Sequence, residues 1–570
     1  MKPIEPAHEA PPPPAPPGPV PVMPPPGAGE PVLRVDNIQG NILAGFNKDH
    51  QTLLFLAIVD VTAFRCWLAG VVDQVATTSE VLTFNRLWKA MRRRRRRAPP
   101  LEAAWFNVGF SFAALKQLGA PAHEFLDEAF RAGLASRSPL LGDPAGGLPG
   151  SPETWCVGGP GKEADVVLIF AADAHDDLQG ELRCLASGWR TRGDIAHGAR
   201  LLHSDQGATL PLPATGHEPF GFADGISQPG IRGRISDDSA DLLTLRQNPR
   251  DPNQGKPGQD LIWPGQFVFG YLGQDRRQDD PALPGNDSLL DASGNRRAPD
   301  CARDGSFLVV RRLLQHVPEL HTFVAEAAPP LGLHPDVLAA KLIGRWQSGA
   351  PLRTAPAADD PSLAGDELRN NDFVFGDAPT PTPAGAPAAP CACPAAQPAP
   401  AGDPEGRVCP LAAHIRKMNP RDDAGRFASP ATPADTRTHR ILRRGIPFDA
   451  SAPGPGGATE RGLLFLAYQT SIVDQFEFLQ GKWANDLEHV DINGPDEFSA
   501  GHDPIIGRDP GHPDGLRRFR LRLDQPPRDC VLKLPPWVQP SGGGYFFCPG
   551  IPALARLAAA DPEAPPAAPP

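Results

Sequence analysis

Short apolar runs, each followed by a stretch of helical length, recur along the chain and predict alternating strands and helices. Three such units lie in the first half. They are Leu53–Asp60 before Thr62–Val75, Ala104–Phe110 before Ser111–Leu118, and Val166–Ala171 before a stretch that ends near Ala186. Runs of this length are typical of strands, and the stretches between them are typical of helices. The alternation favours an α/β or α+β fold.

The second half repeats the same unit. Phe307–Val310 precedes Gln315–Glu326, and Leu463–Tyr468 precedes Ile472–Trp483. The gaps between units are too irregular for a solenoid. Gly, Pro, Asp and Asn cluster between residues 235 and 260, so the simplest interpretation is two similar halves that divide there.

Pro-rich and Ala-rich sequence interrupts this pattern and cannot build a core. The 570 residues include 72 prolines and 58 glycines, concentrated at both ends and in one internal stretch. We predict disordered tails of residues 1–30 and 553–570 on this basis. Between them we predict one domain of residues 31–240 and a second of residues 241–552, with a disordered insertion at residues 376–405.

Charge and hydropathy argue against several partners. Acidic residues outnumber basic ones by 66 to 55, and a net charge of −11 does not favour binding to nucleic acid. The run Arg92–Arg97 could be a nucleic-acid patch, but in so acidic a chain we interpret it as a solvated loop insertion. No apolar run is long enough for a membrane span, and the start does not look like a signal peptide. We expect a cytoplasmic protein, and export by another route stays open.

The nine cysteines are sparse and far apart, which does not indicate a disulfide framework. Cys391 and Cys393 lie in the Pro/Ala tract, and Cys409 is nearby. A metal site is an alternative here, although no matching second pair of ligands accompanies the first.

Asp224 is the first candidate for chemistry. It lies between glycines in the segment Phe220–Gly230, where a tight turn would leave its carboxylate projecting into a pocket. The Gly-x-x-Asp-Gly pattern recurs at Gly511–Gly515, which we interpret as a surface turn. On the pattern alone an ordinary turn residue is favoured for Asp224 too, but the aromatic residues before it and the Pro-Gly turn after it distinguish the first copy.

His414 is the second candidate. It follows a short apolar stretch, and Arg416, Lys417 and Arg421 come close behind it. A neutral imidazole suits iron or zinc, and neighbouring cations suit an anionic ligand. A lone histidine is more often structural, and no HExxH-type spacing singles out His414.

Two strand-like segments complete the candidates. Arg443 and Arg444 are adjacent, and neighbours on a strand point to opposite faces, so one of them could point inward; the alternative is two surface arginines. Leu463 and Phe465 are two positions apart and share a face. They belong to the core in one interpretation and to a pocket wall in the other.

Together these segments resemble the dye-decolorizing peroxidase family of heme enzymes, in that family's order. The matching segments are Asn37–Leu43, Phe220–Gly230, Gly344–Pro351, His414–Arg421, Arg440–Phe448, Gln475–Leu479 and Pro540–Phe547. The resemblance covers roughly residues 35–550 and is closest to the longer fungal enzymes and their bacterial relatives. It implies an α+β fold of the dimeric α+β barrel superfamily, with two ferredoxin-like domains of antiparallel sheet and peripheral helices. Heme would be held mainly by the C-terminal domain.

The resemblance also implies residue roles on the side where peroxide would bind. Asp224 matches the family's distal Asp, and Arg443 matches its distal Arg. Leu463 and Phe465 match apolar residues that line the distal face.

On the other side, His414 matches the proximal iron ligand. Arg416 and Arg421 are the expected partners of the heme propionates. Asp503 is the expected acceptor of the other ring N–H of His414, a contact that would fix the imidazole.

The implied activity is that of a peroxidase that uses heme b and hydrogen peroxide to oxidise bulky aromatic, dye-like or phenolic donors. Asp224 would move a proton between the peroxide oxygens, and Arg443 would stabilise the charge on the leaving oxygen. One alternative is a heme-binding or iron-handling protein of the same fold. Another is a nucleic-acid or scaffold protein that uses the Pro-rich tail and the arginine run. The sequence leaves open the physiological reductant, the oligomeric state and any surface electron-transfer residue.

Overall fold

The apolar runs form the strands of one large sheet. The computed structural model describes residues 29–95, 101–376, 402–422, 433–453, 459–487, 500–509, 515–524 and 527–559. The described strands are β1 His50–Ile58, β2 Ala104–Phe110, β3 Val166–Ala172, β4 Ile195–Ala196, β5 Ala199–Ala208, β6 Gly230–Ile231, β7 Leu261–Ile262, β8 Ser306–Gln315, β9 Leu442–Arg443, β10 Ile446–Pro453, β11 Thr459–Gln469, β12 Arg517–Asp524, β13 Pro527–Leu534 and β14 Val538–Cys548.

Helices follow most of the long strands. The described α-helices are α1 Gly40–Leu43, α2 Val61–Val71, α3 Thr78–Arg95, α4 Phe112–Gln117, α5 Glu128–Ala132, α6 Leu134–Arg137, α7 His175–Leu185, α8 Val317–Leu331, α9 Pro335–Ile343, α10 Pro361–Gly365, α11 His414–Met418, α12 Pro433–Thr438 and α13 Ile551–Ala559. Two π-helical segments, Ile472–Glu477 and Leu479–Ala484, follow β11. None of the described helices is long and apolar enough to cross a membrane.

The large sheet joins the two predicted halves. Its order is β10-β11-β8-β14-β2-β3-β1-β5-β4, with β9 paired to β11 outside this path, and neighbours are antiparallel. Phe547 of β14 pairs with Phe110 of β2, so strands from both halves share one sheet. The predicted α+β fold of antiparallel strands with peripheral helices is confirmed. Because β10 and β4 are end strands, the described strands do not close into a barrel.

Both faces of the sheet are covered at its centre, which explains the uninterrupted apolar sequence of β3. All of its residues are buried, and successive side chains point to opposite faces. Leu168 belongs to one core with Leu68 of α2 and Leu178 of α7. Ile169 belongs to the other core with Tyr468 of β11.

The arginine run differs from its prediction. Arg92–Arg95 form the end of helix α3, so the predicted loop is wrong for the described part of the run. Arginine is a good helix former, and the Arg92 guanidinium lies 5.1 Å from the ring of Trp88, one turn earlier. Arg92, Arg93 and Arg94 are exposed, as a solvated segment requires.

Folded structure extends into three segments that the composition predicts as disordered. Glu30 forms an ion pair with Arg232 at 3.3 Å, and Asp403 is buried and accepts hydrogen bonds from backbone N–H groups that include that of Cys409. Helix α13 continues past residue 552 because its apolar side chains pack inward, with Leu554 fully buried. The other residues of the predicted tails and insertion lie outside the described part of the chain, and the domain boundary at 240 stays a prediction.

The metal hypothesis at the cysteines receives no support from the described residues. Cys409 is buried with Phe373 and Phe375, whereas Cys391 and Cys393 lie outside the described residues. Within the described ranges, no group of three or more His, Cys, Asp or Glu side chains is arranged to hold a metal ion. The second Gly-x-x-Asp-Gly turn also lies outside them, except for its last glycine.

Candidate active site

A cavity of about 270 Å³ brings together most of the predicted site residues. It is bounded by the loop of residues 218–229, strand β11, helix α11 and the π-helical segments, and Asp224, His414 and Arg443 all line it. A larger cavity of about 530 Å³ lies between residues 265–297 and 470–475 and contains none of the predicted site residues. We therefore take the smaller cavity as the candidate active site.

The loop that carries Asp224 is held in a tight conformation. Gly221 and Gly225 have φ values of +98° and +80°, which favour glycine because other residues are strained there. The Asp224 carboxylate accepts hydrogen bonds from the Gly225 N–H at 2.6 Å and from Arg443 Nη1 at 3.0 Å, both at Oδ1. The Asp224 side chain is 41% exposed, toward the cavity. The surrounding protein disfavours its charge, but the positive charge of Arg443 and these hydrogen bonds outweigh that cost and lower the pKa of Asp224.

Arg443 and Arg444 point in opposite directions, as adjacent strand residues should. The Arg443 side chain reaches Asp224. The Arg444 guanidinium instead donates to the carbonyl oxygens of Asn41, Ile42 and Leu43 at 3.0, 3.1 and 2.9 Å. It thereby satisfies carbonyls at the end of the short helix α1, so neither residue is merely a surface arginine.

His414 is the first residue of α11, and its ring lines the cavity. Its Nδ1 lies 2.8 Å from Oδ2 of Asp503, which is fully buried. The backbone N–H groups of Ile505 and Ile506 donate to the other oxygen of Asp503, at 2.8 and 2.9 Å. No described residue forms a hydrogen bond with His414 Nε2, so this nitrogen is available toward the cavity.

The His414–Asp503 pair stabilises its own charges. Burial lowers the pKa of His414, but the adjacent Asp503 carboxylate outweighs burial and raises it. Burial raises the pKa of Asp503, and His414 together with the two backbone N–H groups lowers it below its usual range. Asp503 therefore stays ionised and holds the Nδ1–H of the ring.

Leu463 and Phe465 line the cavity from β11. Leu464 and Leu466, which alternate with them, are fully buried in the core on the other face of the sheet. The strand period of two thus separates pocket wall from core.

The two expected propionate partners differ in position. Arg421 lines the cavity and donates to the carbonyls of Asn371 and Phe373 at 3.0 and 2.9 Å. Arg416 does not line it; its fully buried guanidinium donates to the carbonyls of Cys409 and Asp403 at 2.7 and 2.9 Å. The Arg416 side chain is thus bonded to the chain around Asp403 and does not line the cavity, and its role as a propionate partner stays a prediction.

Arg416→Met is expected to lower the free energy of unfolding by about 3 kcal/mol, because it leaves buried acceptors without their charged partner. Urea denaturation of the heme-free protein measures this change. The matched control is Arg518→Met, which removes an exposed arginine and should leave the free energy of unfolding nearly unchanged. Hemin affinity of the folded Arg416→Met protein should be unchanged. A variant of full stability with weakened hemin affinity would instead make Arg416 a ligand contact.

Two further charged residues line the cavity, and the sequence predicts no role for either. Glu218 accepts hydrogen bonds from the N–H groups of Phe220 and Phe222, both at 3.0 Å, and from the Gln315 side chain at 2.6 Å. Burial raises its pKa despite these donors. Arg440 also lines the cavity; among the described residues its guanidinium has no hydrogen bond or ion pair, and burial lowers its pKa.

Two family models match the chain. The DyP dimeric alpha+beta barrel domain matches residues 37–200, and the C-terminal domain of Dyp-type peroxidases matches residues 368–493. The second range contains His414 and Arg443, whereas Asp224 and Asp503 lie outside both ranges. The first match confirms the predicted superfamily.

Curated proteins resemble the chain over most of its length. The dye-decolorizing peroxidase of Mycena epipterygia is 30% identical over 550 residues, with 93% of this chain and 88% of the relative covered. Peroxidase 2 of Mycetinis scorodonius is 31% identical, with 92% and 87% covered. Among solved structures, an ancestral D-type dye decolorizing peroxidase is 33% identical, with a TM-score of 0.70 and coverage of 93% of this chain and 100% of that one.

Proposed function

Because the chain belongs to the dye-decolorizing peroxidase family, among its longer fungal-like members, and is a peroxidase, we propose that it activates hydrogen peroxide with Asp224 and Arg443 beside a heme b held by His414. The observation that carries the proposal is that one cavity holds both polar pairs, Asp224 with Arg443 and His414 with Asp503. The proposed electron donors are bulky aromatic molecules of the dye or phenol class.

The residues of the cavity fit a heme. His414 presents an Nε2 that no described residue contacts by a hydrogen bond, and Leu463 and Phe465 supply an apolar wall. Arg421 and Arg440 offer positive charge for propionates. The chain has no Cys-x-x-Cys-His motif, so attachment through thioethers is not expected and heme b is proposed. When bound, the heme would supply the iron that binds peroxide and would hold the two oxidising equivalents of the peroxide until the donor is oxidised.

Asp224 is the proposed proton carrier. Its lowered pKa keeps the carboxylate ionised at neutral pH, so it can accept the proton of one peroxide oxygen. It then donates that proton to the other oxygen, which departs as water as the O–O bond breaks. Proton transfer by a positioned group typically contributes about 100-fold to 10,000-fold in rate.

Arg443 is the proposed electrostatic partner. Its guanidinium carries a permanent positive charge and lies 3.0 Å from Asp224, where it can stabilise negative charge that develops on the leaving oxygen. A single preorganised donor of this kind contributes about 3 kcal/mol. The same charge holds Asp224 in its ionised form.

Asp503 prepares His414 for its proposed role as the iron ligand. By accepting the Nδ1–H at 2.8 Å, it turns Nε2 toward the cavity, where this nitrogen would give up its proton and bind an iron through the lone pair that this exposes. It also makes the imidazole a stronger electron donor.

Hydrogen peroxide-dependent bleaching of an anthraquinone dye by the hemin-loaded protein tests the proposed function. We expect sustained turnover that requires peroxide, with iron retained in the heme. Release of iron without dye oxidation would support the heme-handling alternative and contradict the proposal.

The pH dependence of the peroxide reaction provides a sharper prediction. The reaction needs ionised Asp224, so its rate constant should be full at neutral pH and fall only as the pH drops through the lowered pKa of Asp224, below the ordinary Asp value of about 3.9. Stopped-flow mixing from neutral buffer into each test pH measures the rate constant before the protein unfolds. Arg443→Met should move the acid limb to higher pH, and an acid limb above about pH 5 in the unaltered protein would contradict the assignment.

A further inference from the structure

Arg443 is carried by a very short strand. β9 consists of Leu442 and Arg443 and pairs with β11. The N–H of Arg444 donates to the carbonyl of Leu466 in β11 at 2.7 Å. Because peptide groups of adjacent strand residues point to opposite sides, the N–H and C=O of Arg443 face away from β11.

The side-chain amide of Gln228 occupies this open edge. Its Nε2 donates to the Arg443 carbonyl at 2.8 Å, and the Arg443 N–H donates to Gln228 Oε1 at 3.3 Å. The amide thus reproduces the two-bond pairing of a neighbouring strand, because an amide side chain combines a donor and an acceptor without charge. The carbonyl also accepts from Arg444 Nη1 at 3.2 Å, which holds the same peptide from the other side.

Gln228 belongs to the loop that carries Asp224 and follows Asp224 by four positions. The carbonyl of Gln228 accepts a hydrogen bond from Gln259 Nε2 at 3.1 Å, and β6 begins at Gly230 and pairs with β7. The loop is therefore anchored around Gln228. The loop therefore holds Arg443 at two points. Asp224 contacts its guanidinium, and Gln228 contacts its backbone.

We propose that Gln228 is a positioning residue that sets the placement of the Arg443 guanidinium relative to the Asp224 carboxylate. The inference rests on the proposed function, because it assigns Gln228 to the peroxide step. Gln228 is not among the described residues that line the cavity, although Asp224–Ser227 and Pro229 line it. It therefore acts through Arg443 and not on peroxide itself.

Gln228→Met tests the proposal, since it keeps the side-chain length and removes both hydrogen bonds. We expect the rate constant of the hemin-loaded protein with peroxide to fall about 10-fold to 100-fold, as a misplaced catalytic group typically causes. Heme content should be unchanged, as should the rate constant with which the peroxide-oxidised protein takes electrons from the donor. Gln117→Met, on the exposed surface of α4, is the matched control.

Gln228→Glu should change the pH dependence of the rate constant with peroxide, which a purely structural role of Gln228 would leave unchanged. At neutral pH the introduced carboxylate repels the Arg443 carbonyl, so the peroxide reaction should be slow. As the pH falls through about 4.3, the ordinary pKa of a glutamic acid, protonation restores a donor, and the rate should recover toward that of the unaltered protein at the same pH, which shows no such rise. Absence of recovery, together with an unchanged rate in Gln228→Met, would overturn the proposal.

Hydrogen exchange of the heme-free protein separates this inference from the proposed function. Peptides that contain Arg443 should exchange faster in Gln228→Met than in the unaltered protein. Equal exchange would mean that the Gln228 side chain does not hold the Arg443 backbone. If the unaltered loaded protein does not react with peroxide, the proposed function fails, while faster exchange in the variant still supports the contact. A loss of heme equal to the loss of activity would make Gln228 structural and overturn its assignment.

Discussion

Replacing Asp224 by Asn is expected to slow the reaction of the hemin-loaded protein with peroxide by about 100-fold to 10,000-fold. Asn has the shape of the carboxylate, and its oxygen can still accept the N–H of Gly225. It cannot accept a proton at neutral pH, so the transfer between the peroxide oxygens loses its carrier. Stopped-flow absorbance of the Soret band at several peroxide concentrations gives the rate constant.

The control for this substitution is Asp194→Asn. Asp194 accepts N–H groups of Arg190 and Thr191 in an exposed turn away from the cavity, so its loss should leave the rate constant unchanged. Both variants should bind heme as the unaltered protein does. An Asp224→Asn protein that reacts at the original rate would mean that another group carries the proton, and Glu218, the second carboxylate of the cavity, would be the next candidate.

Replacing His414 by Ala is expected to abolish most heme binding. Loss of an outer partner of a metal ligand typically costs about 10-fold to 100-fold in metal affinity, so loss of the ligand itself should exceed about 100-fold. Titration of the heme-free protein with hemin, followed at the Soret band, measures the affinity. Asp503→Asn, which keeps the ring but weakens its support at Nδ1, should show the smaller loss.

Added imidazole provides a second test of the His414 assignment. It should restore part of the hemin affinity of His414→Ala by entering the space of the missing ring. It should not improve the unaltered protein. His123→Ala removes an exposed histidine and serves as the control. Full hemin occupancy in His414→Ala without imidazole would show that a different residue holds the iron.

The periodic parts of the sequence predict the fold well. β2 has its predicted bounds, and β1 and β3 differ by at most three residues at either end, because continuous apolar runs leave little choice of conformation. β8 ends five residues later than predicted, and β11 begins four residues earlier. The strand period also predicts that Leu463 and Phe465 share a face. The arginine run shows that composition alone does not predict secondary structure, since a polar segment can extend a helix as readily as it forms a loop.

Contacts between distant segments explain most of what the sequence could not predict. Arg416 fails as a cavity residue because it lies two positions after His414 on α11, and residues i and i+2 of a helix do not face the same side. Gln228 and Arg443 are separated by 215 positions, and no local pattern marks their contact. Arg440 precedes Arg443 in a segment where the sequence gives no reason to prefer one arginine as a ligand for propionates.

The measurement that tests the central claim most directly is the absorption spectrum of the hemin-loaded protein before and after one equivalent of hydrogen peroxide. If His414, Asp224 and Arg443 form one peroxide-activating site, the Soret band will change promptly in the unaltered protein and slowly in Asp224→Asn. A Soret band that peroxide leaves unchanged would contradict the account.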